Sequence, residues 1–208
     1  MSLSLKGQNS AGLYALMAAN LALFYGVVQH DAILAGDWAE TARQLAEAIP
    51  AGLGLAVTGL LNAQLPAEAK ARIVFLRWRD PLPGSEAFTK HGPADPRVDV
   101  AALESAFGPL PVTPREQNAL WYKLYKSVSS DASVTQVHRA FLFTRDYACL
   151  ALFAWVVLGS AGFVQIPSVR TALGYVAVLG AQFLLARRAA RTHGVRLVTT
   201  VLALKSAS

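Results

Sequence analysis

Three groups of side chains in this sequence could do chemistry: amides and hydroxyls inside apolar runs, arginines and lysines interleaved with aromatics, and a charged pair where an apolar run begins. Asn20, Thr58 and Gln182 form the first group, each within a long apolar stretch. A polar side chain in lipid is costly and is often kept for function. Its ordinary use is a hydrogen bond to a neighbouring helix. Its sharper use is to wet a narrow axis, because one amide per chain becomes a ring when copies assemble. These three residues are therefore the pore-lining candidates.

The second group is basic and aromatic. Arg72, Arg77 and Arg79 surround Trp78, and Trp121, Tyr122, Lys123 and Lys126 lie close together with Tyr125. Such mixtures hold phosphates and stack bases, so these residues are candidates to bind a nucleotide or nucleic acid. Two plainer readings compete. Arg and Trp next to a span are ordinary interfacial anchors, and the Trp-Tyr pair at helical spacing suits the core of a small domain. The third group is Arg145-Asp146, where an apolar run starts. It reads either as an interfacial ion pair or as a hinge between a soluble helix and a span.

Other chemistry is not supported. No serine lies in a nucleophile elbow, and no glycine loop suits a phosphate cradle. We therefore expect no enzyme, no catalytic residue and no cofactor. His30, His91, His138 and His193 are scattered, and His91, Asp95 and Asp99 lie among Gly-Pro and Asp-Pro loop signals, so no metal site is expected. The single Cys149 excludes an internal disulfide.

The elements that must position these groups follow from hydropathy. The chain of 208 residues is 54% hydrophobic and only 15% charged, with net charge +6. Soluble domains carry about 25% charged residues, so much of this surface must face lipid. Residues 11–29, AGLYALMAANLALFYGVVQ, contain no charge and match the length of a span. That run is too long for a signal-peptide core, so it is expected to be retained. Further spans are expected over 45–64, 147–165 and 171–186, the last two joined by a tight turn at 166–168.

The fold class is thus an all-α membrane protein of four transmembrane helices in two hairpins. A mainly helical cytosolic domain is inserted between the second and third helices. The domains are residues 1–64, 65–145 and 146–208, the last ending in a basic tail. The 30–43 loop has three acids and one base, whereas 65–145 has eleven bases and eight acids, and the tail after 186 has five bases and no acid. The positive-inside rule then places the middle segment and both termini in the cytosol, in a bacterial inner membrane.

Within the middle segment, residues 67–79 are read as a helix continuing the second span, with a strand over 73–79 as the alternative. Asp99 suits an N-cap, with Gly108 closing the helix. Thr113-Pro114-Arg115-Glu116 has the pattern of a capping box. Asp131 opens a helix that runs into the third span. Small residues at four-residue spacing, such as Ala18, Ala22 and Gly26, allow close helix packing. A homo-oligomer, taken as a tetramer, is expected. The function these features suggest is an oligomeric channel or pore-type effector, in stress response or antiviral defence. Its basic domain would sense an anionic ligand or a partner protein. The alternative is a non-conducting membrane anchor that recruits a cytosolic protein. Membrane lipid is a partner in either case.

Overall fold

The computed structural model describes residues 5–30, 36, 57, 60, 62 and 64–208, with side chains from Asn9 onward. Every regular element among the described residues is helical, and no strand occurs among them. The long helices are α1 (Leu5–Val28), α2 (Ala67–Phe75), α3 (Val100–Phe107), α4 (Pro114–Val128), α5 (Ala132–Gln165) and α6 (Val169–Ser206). A 3-10 turn over Pro83–Glu86, a π turn over Ala87–His91 and one helical turn over Gly92–Ala94 connect α2 to α3.

Among the described residues, three helices are long and apolar enough to cross a membrane: α1 from Asn9, α5 and α6. A span over 45–64 lies almost wholly outside the described residues. At a rise of about 1.5 Å per residue, the 34 residues of α5 and 38 of α6 exceed the ~30 Å hydrocarbon thickness.

The chain divides into two compact units. Unit 1 comprises Met1–Leu65 and Asp146–Ala186; unit 2 comprises Pro66–Arg145 and Arg187–Ser208. In unit 1 the core is Phe24, Ala154, Leu158, Ile166, Ala172, Tyr175 and Leu179. Helices α5 and α6 approach closely here. A Cβ on Gly162 would lie 2.9 Å from the Tyr175 ring, and one on Gly180 would lie 3.2 Å from the Trp155 ring. Four other described small-residue positions are not used this way: Gly26 and Gly174 have open space, and Ala18 and Ala22 are exposed. Between α5 and α6 the chain turns at Ile166–Ser168, as the Ile-Pro-Ser stretch predicts. Ser168 accepts the Ala172 N–H at its carbonyl, 2.9 Å away.

In unit 2 the second half of α6 forms much of the core. Leu197, Val198, Val201 and Leu202 are each at most 3% exposed. Burying side chains of this size contributes about 1.5–3 kcal/mol each before entropy is counted. Around them, the space beside Gly194 is filled by Phe75 of α2 and Phe141 of α5, and Leu202 reaches the backbone of Gly92. The basic segment after residue 186 is therefore a packed helix and not a tail.

Two further expectations are corrected. Helix α2 does not continue the second span. Pro66 is extended at φ −64°, ψ 155° and starts a new helix, because a proline nitrogen has no proton to continue an existing hydrogen-bond ladder. Nor does α2 reach residue 79, and 73–79 is not a strand. The helix ends when Leu76 adopts φ 52°. The caps behave unevenly. Asp99 accepts the Ala102 N–H at 2.9 Å, and Gly108 follows α3 at φ 80°. Asp131 accepts the Ser133 N–H at 2.8 Å before α5. Thr113, however, donates its hydroxyl to the Glu116 carboxylate at 2.6 Å instead of capping a backbone N–H.

Candidate functional site

The membrane-type unit places two of the three polar candidates. Asn20 is 6% exposed and donates its amide to the Leu16 carbonyl at 2.8 Å, one turn back on its own helix. Gln182 donates to the Tyr147 hydroxyl across the α5–α6 pair. Both amides are thus engaged within one chain. Thr58 lies outside the described residues.

Arg145 and Asp146 stand on either side of a unit boundary that falls inside an unbroken helix. Arg145 rests its guanidinium over the Phe141 ring at 5.7 Å, and Asp146 is 3% exposed.

The basic and aromatic candidates do not form one site. Helical periodicity separates those on α4. Trp121 turns inward at 8% exposure and stacks on Tyr125 at 5.7 Å. Tyr125 in turn meets His138, with hydroxyl and Nδ1 3.0 Å apart, and burial raises the phenol's pKa. Tyr122, Lys123 and Lys126 face outward, with the Lys126 ammonium 5.5 Å from the Tyr122 ring centre. After α2, Arg77 is drawn away by Glu86 at 2.8 Å. Arg72, Trp78 and Arg79 do share one depression of about 580 Å³ with Arg115. Its charge is largely paired: Glu68 lies 3.5 Å from Arg72, and Asp80 lies 3.7 Å from Arg115. Trp78 is 85% exposed, between Leu76 and Asp80, both of which have positive φ.

A second concavity, larger and more basic, forms where α6 meets the turn before α3. This groove of about 830 Å³ is lined by Arg97, Arg188, Arg191 and Arg196, with Asp95 and Thr199 among its other walls. Asp95 is already engaged. Its carboxylate accepts the Arg97 Nε at 3.0 Å and Nη2 at 2.7 Å, and this fork holds it well below the usual carboxylate range. Arg97 also donates to Thr199 at 3.2 Å. His91 lines the same groove. Burial, opposed by Glu86, lowers its pKa, and its buried Nε2 has no hydrogen-bond partner.

Comparisons with family models, with characterised proteins and with solved structures found no match to this chain. The functional argument therefore rests on its own residues.

Sequence reasoning missed Gln117 and the convergence of the α6 arginines. Gln117, 1% exposed, accepts the Phe88 N–H at 3.0 Å and the Thr89 N–H at 3.2 Å, and donates to the Val112 carbonyl at 2.9 Å. It ties α4 to the π turn that carries His91. No local pattern marks it, because both amide partners lie nearly thirty residues away. The α6 arginines were visible but were read as orientation charges, with lipid-headgroup contact as a by-product. The apolar positions 194, 197, 198, 201 and 202 recur at helical spacing and could have shown that this segment packs.

Proposed function

We propose that this chain is a pore-type effector of a bacterial inner membrane. It would have four spans in two hairpins and a cytosolic unit between them. Copies assemble, and an anionic ligand or partner protein acting on the cytosolic unit biases the membrane unit. The observation that carries this reading is continuity. Helices α5 and α6 each pass without a break from unit 2 into unit 1, at Arg145/Asp146 and at Ala186/Arg187. A ligand that shifts either helix in one unit therefore acts on the same helix in the other, which is what coupling between two states requires. The exposed Ala18–Ala22 face of α1 supports contact with a second copy.

The test is permeability. Vesicles holding the full chain, and cells expressing it, should pass ions or a small dye, and Asn20→Leu should alter that passage. Absence of permeability in vesicles and cells for both wild type and Asn20→Leu would sink the pore reading.

One observation favours the anchor reading instead. Asn20 and Gln182 already have hydrogen-bond partners within the chain, as structural amides do. Exchanging the spans for an unrelated four-span anchor discriminates the two: retained cellular activity supports the anchor, and lost activity rejects it.

A further inference from the structure

We infer that unit 2 carries a binding site for a phosphate-rich anion in the groove between α6 and the Asp95–Arg97 turn, held by Arg97, Arg188, Arg191 and Arg196. This deepens the proposed function by naming the ligand class, and it rests on the reading that unit 2 is cytosolic.

The argument begins with what orientation alone would require. The positive-inside rule asks for arginines on the cytosolic side, but it does not ask them to converge. Here they do. Arg188, Arg191 and Arg196 lie along one groove wall on α6, together with Thr192 and Thr199. Arg97 reaches the same groove from a turn 102 residues before Thr199. Its guanidinium is set in place by the Asp95 fork and by Thr199, so little side-chain freedom remains to be lost on binding.

The charge is also unanswered. Among the described residues, Arg188, Arg191 and Arg196 have no carboxylate within ion-pair distance, whereas Arg72, Arg77 and Arg115 each have one. Four guanidinium groups around one concavity face, among the described lining residues, one carboxylate, already committed to one of them, and so set up a strong positive field. A groove of about 830 Å³ fits a ligand carrying several phosphates better than a lone ion. Guanidinium forks match phosphate oxygens two at a time. Among the described residues, no Phe, Tyr or Trp lines the groove, so they offer no platform on which a base could stack. Recognition is therefore of phosphate charge and spacing. A free oligophosphate or nucleotide phosphate chain has that chemistry, and so does an anionic lipid headgroup.

The test uses the full chain in phosphatidylcholine nanodiscs, with inorganic tripolyphosphate titrated by calorimetry. Wild type should bind it with steep salt dependence. The double variant Arg191→Gln/Arg196→Gln should bind about tenfold or more weakly, because two charge-assisted contacts are lost. Arg97→Gln should weaken binding independently of any change on α6. Arg79→Gln/Arg115→Gln, in the other basic depression, should bind like wild type. Helicity by circular dichroism reports folding in each case. Repeating the titration in discs containing phosphatidylglycerol separates the two sources. Binding that persists marks a soluble ligand, and binding lost there but present in phosphatidylcholine marks a headgroup in the groove. The inference is overturned if wild type binds tripolyphosphate in neither disc. It is equally overturned if the folded α6 variant binds like wild type, or if the loss follows Arg79 and Arg115 instead. Calorimetry reads binding without any leak, so binding without permeability removes only the pore reading, and permeability without binding removes only this site.

Discussion

At the scale of residues, Gln117 and His91 are the most exacting positions in unit 2. Replacing Gln117 by Leu removes the acceptor for the buried Phe88 N–H and the donor to Val112. An orphaned buried polar group costs about 1–3 kcal/mol. Gln117→Leu should therefore lower stability by about 2–3 kcal/mol, read as a lowered denaturant midpoint; an unchanged midpoint would show that water replaces the amide. The sign of the pH effect at His91 follows from burial. The folded chain holds the imidazole neutral more firmly than the unfolded chain does. The unfolded state therefore binds more protons near pH 6, and the His91 contribution is complete above about pH 6.5 and lost as pH falls below it. His91→Gln should flatten the decline in stability between neutral pH and pH 5, measured by thermal unfolding at a series of pH values. Among the sequence candidates, Trp121 was legible as both core and ligand residue. The structure decides for core: Trp121 is buried, stacks on Tyr125, and lies so close to Gly84 that a Cβ there would meet its ring at 2.7 Å.

At the scale of elements, α6 separates what pattern shows from what packing decides. Leu202 is fully buried in a segment that charge alone would assign to a solvated tail. Leu202→Ala should destabilise unit 2 by about 2–5 kcal/mol, the range for a buried leucine that leaves a cavity. Ending the chain after Ala186 should remove Leu197, Val198, Val201 and Leu202 together. Residues 66–145 should then become protease-sensitive, as limited proteolysis of the membrane-inserted protein would show. Resistance equal to that of the full chain would mean that the segment does not support unit 2. The short range elements were largely readable. Asp99, Gly108 and Asp131 act through neighbours two or three residues away, so local sequence is enough to place them. The end of α2 was not readable, since Leu76 takes a left-handed conformation that a leucine rarely adopts without surrounding packing.

At the scale of the whole molecule, the arrangement of spans is open to a direct experiment. In a Cys149→Ser background, cysteines at positions 37 and 123 should label from opposite sides of the membrane with an impermeant maleimide. If 45–64 does not cross, both positions fall on the same side and the four-span arrangement fails. What the sequence alone determined is the material of each segment: which stretches are apolar enough for lipid, that the structure is helical, and where charge is excluded. These properties are sums over neighbouring residues, so they survive without knowledge of contacts. Only the tertiary structure decided that the basic segment after residue 186 belongs to unit 2, that Asn20 and Gln182 are already bonded, and that Arg97 stands with the arginines of α6. Each depends on which distant segments share a core, and a local pattern shows at most that a segment packs, never against which residues a hundred positions away.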